Sequence, residues 1–358
     1  MRASRANRAA EDSHVDNERI DRLVRTKSLP KKKMVSIVIK DHVIRYMDAK
    51  KPSLRGITAI GEHYLPPGII NEGKIMDMER LRSILRNCVQ KWRIANREVQ
   101  FLVPDSFVIV RKLDIPAHIE DEEIKGYLYL ELGTKIHLPF DNPIFDIDLL
   151  EQTEEKKEIL LFAAPENVVT EYAQVLKSVG LKSVAADVSS LAIYRLFIKV
   201  SDELDMGIPE GPLTLSIQFD LQSVTVSVIH HHKLLLIRQF KMNLAIDSWD
   251  RQVDKYGTLT PVWVGDKGHL NYEINVMMGE IDRVISYYRS LINHSEAEID
   301  MIILTGDYPY LDDIANQMQQ SIGKEPYMFT QDLFDTQSKE LIPPRYYLPL
   351  GLSLKGGV

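Results

Sequence analysis

The apolar residues of this chain follow two different periods, one typical of strands and the other of helices. Short β-rich runs such as 35–39, 99–103 and 213–219 are separated by stretches in which apolar residues recur every three or four positions. A period of two marks a half-buried strand, and a period near 3.6 marks one face of a helix. Interleaving of the two patterns predicts a mixed α/β architecture.

The clearest helical pattern runs from Asp77 to Trp92. Its apolar stripe consists of Met78, Leu81, Leu85, Cys88 and Trp92. Cys88 belongs to this stripe. Because it is the only cysteine of the chain, it can form neither an internal disulfide nor a thiolate metal cluster. We expect it to pack in the core, and a reactive thiol is the alternative.

Two strand-turn-strand segments, at 35–47 and 213–240, resemble the phosphate-gripping hairpins of an actin-like ATPase. In that fold each turn carries Asp-x-Gly or a similar sequence, because a carboxylate orders the magnesium shell and glycine lets the backbone approach a phosphate. Here Val38 and Lys40 stand in the first Asp and Gly places, and Gln218 and Asp220 stand in the second, ahead of a strand that carries Ser223 and Thr225. The shape is retained while the chemistry is replaced.

A third strand runs into Thr305-Gly306-Asp307, where nucleotide-binding relatives carry a Gly-Gly-rich adenosine loop. A register shift of two would bring Asp220 into the metal place, but Gln222 would then take the glycine place. Because the departures coincide, we predict that hydrolysis is lost and that no cofactor is required. Lys40 is a point charge that could pair with a phosphate, so weak binding of ATP and magnesium remains the alternative.

Order and spacing along residues 34–357 resemble the PilM family of type IV pilus assembly proteins, in the same actin-like class as FtsA. The resemblance is carried by VPDSFVIVRKLDIP at 103–116, LPF at 138–140, FAAP at 162–165, EIDR at 280–283 and PLGL at 349–352. It implies an α/β, actin-like (ribonuclease H-like) two-lobe fold with a small α+β subdomain inserted in the first lobe. The implied ranges are 34–108 and 184–212 for the first lobe, 109–183 for the insertion, 213–345 for the second lobe, and 346–358 for a C-terminal segment that returns to the first lobe.

The resemblance also implies a partner. PilM-like proteins lie at the cytoplasmic face of the membrane and bind the N-terminal cytoplasmic segment of PilN, beside other pilus assembly components. The groove implied by the resemblance lies beside the inserted subdomain, and Leu138, Pro139 and Phe140 are the candidate contacts, because they interrupt a helix and would present apolar surface. Packing of Leu138 and Phe140 within the subdomain core is the alternative. The competing function is a nucleotide-dependent actin-like ATPase that polymerises at the membrane.

Composition and charge narrow the class of protein. A chain of 358 residues with 44% hydrophobic residues can bury a large core and is longer than a usual single domain. No apolar run reaches the roughly 18–20 residues that span a bilayer, and no secretory signal is present, so we expect a cytoplasmic protein. The acidic body, with its interspersed basic residues, argues against nucleic-acid binding.

The first 33 residues differ in charge from the rest. They carry ten Lys or Arg against five Asp or Glu, a net charge of +5. Since the whole chain has a net charge of −7, the remaining residues have a net charge of −12. We expect a disordered extension, with Met34 as an alternative start. A weak anchor for anionic lipid is the other interpretation, since each basic residue near a membrane surface contributes about 1 kcal/mol.

Three consecutive histidines, His230, His231 and His232, lie between two β-rich runs. Neighbouring side chains of a strand point to opposite faces, so these residues are poorly arranged to share one metal ion. A hairpin tip is the predicted location, and no metal site is expected.

Overall fold

The computed structural model describes residues 34–49, 53–209, 211–253, 259–291 and 298–355. The basic segment 1–33 lies outside these residues, together with its predicted disorder and lipid contact. Within the described residues, no helix is both long enough and apolar enough to cross a membrane.

The described strands and helices alternate along the chain. The strands are β1 (Val35–Lys40), β2 (Val43–Asp48), β3 (Ala59–Tyr64), β4 (Ile70–Asn71), β5 (Lys74–Ile75), β6 (Glu98–Leu102), β7 (Ile109–Pro116), β8 (Pro143–Gln152), β9 (Lys156–Pro165), β10 (Lys182–Asp187), β11 (Thr214–Phe219), β12 (Ser223–His230), β13 (Lys233–Lys241), β14 (Trp249–Val253), β15 (Leu259–Trp263) and β16 (Met301–Thr305). The helices are α1 (Met78–Trp92), α2 (Ile124–Glu131), α3 (Glu166–Ser178), α4 (Ser189–Leu204), α5 (Lys267–Leu291), α6 (Leu311–Ile322) and α7 (Tyr347–Ser353).

The two lobes repeat one sheet topology. In the first lobe the strand order is β10-β6-β1-β2-β3, and in the second it is β13-β12-β11-β16. Each sheet begins with an antiparallel meander of three strands, and a later strand, β6 or β16, then pairs in parallel with the first of them. Because strands β1 and β11 have equivalent positions, the turns that follow them both reach the cleft between the lobes.

The segment between β6 and β10 contains a separate three-stranded antiparallel sheet, in the order β7-β9-β8. Helix α2 covers this sheet through a small core that includes Ile124, Leu128 and Phe145. Helix α3 lies within the range predicted for the insertion, yet its buried face joins the core of the first lobe through residues such as Tyr172 and Leu176.

Helix α1 forms where the apolar stripe predicted it. The side chain of Asp77 caps it by accepting a hydrogen bond from the N–H of Arg80 at 2.9 Å, which satisfies a donor that the first turn leaves free. Burial raises the pKa of the Cys88 thiol to about 11, as expected for a core residue and opposite to the shift that makes a thiol reactive.

The C-terminal helix α7 packs against helix α4 and strand β1 of the first lobe. Buried Gln100 on strand β6 donates a hydrogen bond to the carbonyl of Leu352 at 2.8 Å, which ties the end of the chain to the central strands. The three histidines occupy the tip of the β12–β13 hairpin, as predicted. His231 and His232 there have φ values of 49° and 62°, the left-handed conformation of a tight two-residue turn.

Candidate functional site

The turns after β1 and β11 face each other across the cleft and meet in an ion pair. Lys40 is the last residue of β1, and Asp220 directly follows β11. The Lys40 ammonium lies 2.7 and 2.8 Å from the two carboxylate oxygens of Asp220. Both side chains are largely buried, so water screens this pair far less than a surface pair.

Asp307, just beyond strand β16, extends the pair into a network. Arg45 Nη1 lies 2.8 Å from both carboxylate oxygens of Asp307, and His42 Nε2 lies 3.0 Å from one of them. Lys40 reaches the same carboxylate at 3.4 Å. The backbone N–H of Asp307 donates to Asp220 at 3.0 Å. Two second-lobe carboxylates are thus bound by cations that the first lobe supplies.

The first-lobe cations control the ionisation of Asp307. Burial opposes its negative charge, but the charges of Arg45 and Lys40 and the hydrogen bond with His42 outweigh burial and hold the pKa of this carboxyl well below its usual range. Burial also opposes the positive charge of Lys40, yet Asp220 and Asp307 raise the pKa of its ammonium. Asp307 and Lys40 therefore stay charged at neutral pH.

Arg45 is held from both sides. Its side chain is only 2% exposed and also donates to Glu62 at 3.2 Å, and Glu62 accepts a further bond from Arg345 at 3.0 Å. Arg45 lies opposite Val38 in the antiparallel register of β1 and β2. Val38 stands at the place predicted for a metal-binding carboxylate, and its partner on the neighbouring strand is the buried Arg45.

A second polar cluster crosses the cleft beside the ion pairs. Asp105, between β6 and β7, accepts hydrogen bonds from Ser189 at 2.7 and 2.6 Å and from Thr225 of the second lobe at 3.1 Å. Gln218 donates to Ser189 at 2.7 Å. Burial raises the pKa of Asp105 to about 6, although the bonds from Ser189 and Thr225 favour its ionised form.

Gly306 is required by the packing of the chain on itself. Its φ is +130°, and a Cβ at this position would lie 2.0 Å from the carbonyl oxygen of Phe219. The loop after β16 therefore presses against the end of β11, and this contact positions Asp307 beside Asp220. In the described structure the close approach that glycine permits is to protein backbone.

A cavity of about 420 Å³ remains beside the Lys40–Asp220 pair. Val38 and Ser223 line it together with Asp105, and the pair Lys241–Glu72 bridges the lobes at its rim, 2.6 Å apart. All eight residues predicted at the degenerate nucleotide site thus lie at or beside the cleft: Val38, Lys40, Gln218, Asp220, Ser223, Thr225, Gly306 and Asp307.

The residues at the cleft do not fit a hydrated magnesium ion of the kind that actin-like ATPases use. Asp220 and Asp307 are already neutralised by protein cations, and Val38 is apolar where a carboxylate would be needed. In the described ranges, no three His, Cys, Asp or Glu side chains come together so that they could hold a metal ion.

The second candidate region is a groove on the inserted subdomain, with a volume of about 680 Å³. Leu138 and Phe140 line it and also pack partly against the core of the subdomain. Their predicted contact with a partner stays a prediction. Pro139 between them is exposed and does not line the groove. This groove is separate from the cleft, and it shares no lining residue with the cavity beside Lys40.

Sequence reasoning missed His42, Arg45, Asp105 and Ser189 as site residues. Arg45 had a readable signal, because a charged residue inside the apolar run 43–47 must be paired if that strand is buried. Asp105 stands in the run that carries the family resemblance, but nothing local indicates that Thr225 approaches it across the cleft.

Comparisons with known proteins identify a family and several structural likenesses. The family model described as "Type IV pilus assembly protein PilM" matches residues 38–243, more than half of the chain. A solved structure described as "PilM-PilN type IV pilus biogenesis complex" is 18% identical with a TM-score of 0.69, over 91% of this chain and 99% of that one.

Two further solved structures are similar with TM-scores below 0.5. The ethanolamine utilization protein EutJ from Carboxydothermus hydrogenoformans is 13% identical with a TM-score of 0.47, over 95% of this chain and 96% of that one. MreB5 of Spiroplasma citri bound to ADP is 10% identical with a TM-score of 0.44, over 90% of this chain and 95% of that one. The predicted actin-like α/β class is confirmed by the likeness to the PilM-PilN complex and by the repeated sheet of the two lobes.

Proposed function

The chain belongs to the type IV pilus assembly protein PilM family, and from this premise we propose that it is a pilus assembly adaptor that binds a PilN-like membrane protein without hydrolysing ATP. It binds the cytoplasmic N-terminal segment of that partner and works at the inner face of the membrane, beside other pilus assembly components. The observation that carries the proposal is the ion pair between Lys40 and Asp220, because it occupies the phosphate-gripping turns with the protein's own charges.

The charges in the cleft disfavour hydrolysis. A phosphate entering the cleft would have to separate Lys40 from Asp220, and the buried carboxylate would then lose its closest cation. Magnesium would have to compete with Arg45 and Lys40 for Asp307. The cavity beside the pair is therefore poorly suited to a metal–nucleotide complex, and a titration with ATP and magnesium distinguishes weak binding from none.

The groove on the inserted subdomain is the proposed partner site. Its apolar wall includes Tyr129, Ile136 and Phe140, and its rim carries the acidic residues Asp141 and Glu166. An extended segment would gain apolar burial against this wall, and the aromatic rings supply large contact areas at low cost in side-chain entropy. The similar solved structure is a complex of PilM with PilN, which supports a PilN-like occupant for this chain.

A capture experiment tests the partner. The whole chain is incubated with an immobilised peptide of the cytoplasmic N-terminal segment of the PilN-like protein from the same genome, with and without ATP and magnesium. We expect equal capture in both conditions. Tyr129→Ala should weaken capture, whereas Leu130→Ala should not, because Leu130 is 80% exposed on the same helix and does not line the groove.

Absence of capture, or equal capture by the Tyr129→Ala and Leu130→Ala variants, would contradict the proposed site. Capture that requires nucleotide would favour the competing function, the nucleotide-dependent actin-like ATPase.

A thermal-shift titration tests whether the protein binds ATP and magnesium. A ligand at 100 times its dissociation constant stabilises the folded state by about 2.7 kcal/mol. We expect no shift with ATP and magnesium, and no release of phosphate. A clear shift with phosphate release would replace the adaptor by an ATPase, and a shift without release would leave an adaptor that binds nucleotide.

A further inference from the structure

The ion pairs that cross the cleft are formed by buried side chains. Lys40 from the first lobe lies within 2.8 Å of Asp220 from the second, and Arg45 lies equally close to Asp307. The side chains of Arg45 and Asp307 are only 2% and 4% exposed. Charges buried in this way interact strongly with one another and are costly to separate.

Uncharged donors cross at the same depth. Thr225 of the second lobe donates to Asp105 of the first, and Gln218 of the second lobe donates to Ser189 of the first. Ser190 and Ser227 form a further hydrogen bond across the lobes. Opening the cleft would therefore expose several polar groups at once, and each of them would lose a partner that the opposite lobe supplies.

Lys40 is the centre of this arrangement. Its ammonium is the only group among those described that reaches both Asp220 and Asp307, at 2.7 and 3.4 Å. Without it, two carboxylates joined by the Asp307 N–H bond would repel each other in a buried site. The closed arrangement therefore places one first-lobe cation between two second-lobe anions, and Arg45 adds a second first-lobe cation at Asp307.

We propose that Lys40 is the central ion of a latch, formed by Lys40, Arg45, Asp220 and Asp307, that holds the two lobes closed without any external ligand. A ligand shifts a conformational equilibrium only as far as it binds one state better than the other. Because the latch already supplies the cation that closure needs, the closed state is the ground state of the free protein, and nucleotide has no closure left to drive.

The latch is independent of the identity of the partner. It concerns the cleft, whereas the proposed partner binds at the groove on the inserted subdomain. A closed cleft without peptide capture would sink the proposed partner and leave the latch standing. Capture by a protein whose cleft opens freely would do the reverse.

Distances between spin labels on the two lobes test the latch in the full chain. Labels are attached at Lys74→Cys in the first lobe and Asn243→Cys in the second, since both positions are exposed. The single native cysteine, Cys88, is 3% exposed and can be retained. Double electron–electron resonance then gives the distribution of distances between the two labels, with and without ATP and magnesium.

We expect one narrow distribution for the otherwise unaltered protein, unchanged by nucleotide. Lys40→Met should broaden it and shift it to longer distances, whereas Lys40→Arg should restore the narrow form. Lys241→Met is the matched control. Lys241 also bridges the lobes, but its pair with Glu72 is exposed at the rim, so the distribution should stay narrow.

Two results would overturn the latch: a distribution that narrows only when nucleotide is added, or a folded Lys40→Met protein with an unchanged distribution. If Lys40→Met does not fold, Asp220→Asn replaces it, because the amide oxygen still accepts the Asp307 N–H while the charge is removed. An unchanged distribution in that variant would equally reject the proposal.

Discussion

The cleft between the lobes and the groove on the inserted subdomain are both concave, but they differ in what their polar groups contact. In the cleft, Lys40 is bonded to Asp220, and Arg45 is bonded to Asp307. In the groove, aromatic and aliphatic side chains form the wall, and acidic residues stand at the rim. The protein completes the first region with its own charges and leaves the second with apolar surface.

Under the proposed function, the fold keeps its shape while the site moves from the cleft to the groove. A metal–nucleotide complex supplies cations between two facing hairpins, and here the first hairpin supplies them as Lys40 and Arg45. The scaffold then stays closed and can present a surface elsewhere. A substitution in the cleft should therefore leave the groove unaffected, and a substitution in the groove should leave the cleft unaffected, so each region serves as a control for the other.

The largest expected effect is on the cleft. Of the described side chains that bond to Asp307, Arg45→Met leaves Lys40 and His42. Removing one partner of a buried ion pair costs about 3–5 kcal/mol of unfolding free energy. Urea denaturation measures this loss. Arg82→Met is the control, because the Arg82–Glu79 pair is exposed on helix α1.

The double variant Arg45→Met/Asp307→Leu should recover much of the loss, since no charge is then left unpaired at this position. A single-variant cost below about 1 kcal/mol would place Arg45 with ordinary surface pairs.

The next effect depends on pH and sharpens the electrostatic side of the comparison. Burial raises the folded-state pKa of Asp105 to about 6 from its ordinary 3.8, so its stabilising contribution is fully present below 3.8 and is lost as the pH rises through about 6. At about 1.4 kcal/mol for each pKa unit, the loss reaches up to about 3 kcal/mol.

Asp105→Asn cannot ionise. It should be more stable than the unaltered protein at pH 8, and this advantage should disappear near pH 4. Unfolding free energies at pH 4, 6 and 8 measure the difference. Asp282→Asn, at an exposed position of helix α5, should run parallel to the unaltered protein. Parallel profiles for Asp105→Asn as well would mean that this carboxyl titrates normally.

A smaller effect is expected at the groove. Phe140→Ala removes apolar wall, and we expect capture of the PilN-like peptide to fall about tenfold, equivalent to about 1.4 kcal/mol. Because Phe140 is only partly buried, the protein should stay folded, which circular dichroism checks.

Leu149→Ala is the control for this variant. Leu149 is exposed on strand β8 of the same subdomain and outside the groove, so capture should be unchanged. An unfolded Phe140→Ala protein would instead show that the ring acts mainly in the subdomain core.

The smallest effect concerns the rim of the cleft. Lys241→Met breaks a pair with Glu72 whose partners are 52% and 53% exposed, so the expected loss of unfolding free energy is at most about 0.5 kcal/mol. Denaturation at low and high salt measures it. A loss as large as that of Arg45→Met would show that the rim, and not the buried network, holds the lobes.

Much of the cleft was predictable because strand patterns are local. The β-rich runs around Val38 and Gln218 located both hairpins, and the resemblance to an actin-like fold marked Lys40 and Asp220 as the residues in the phosphate-gripping places. A predicted break in a helix and the groove implied by the family resemblance pointed to Leu138 and Phe140, but they left the roles of these residues open. A half-buried side chain can contact a core and line a groove together, and the packing shows that Leu138 and Phe140 do both. Their contact with a partner stays a prediction.

The sequence alone indicated the strands of both hairpins, the helix from Asp77 to Trp92, and which residues stand where an active nucleotide site has its motifs. Those features depend on periods and caps within a few residues of one another. Tertiary structure alone decided what the replacements do. Lys40 meets Asp220 across 180 positions and Asp307 across 267, and no local pattern encodes contacts at such separations. Burial then turns these contacts into a strong network, because charges removed from water must find partners within the fold.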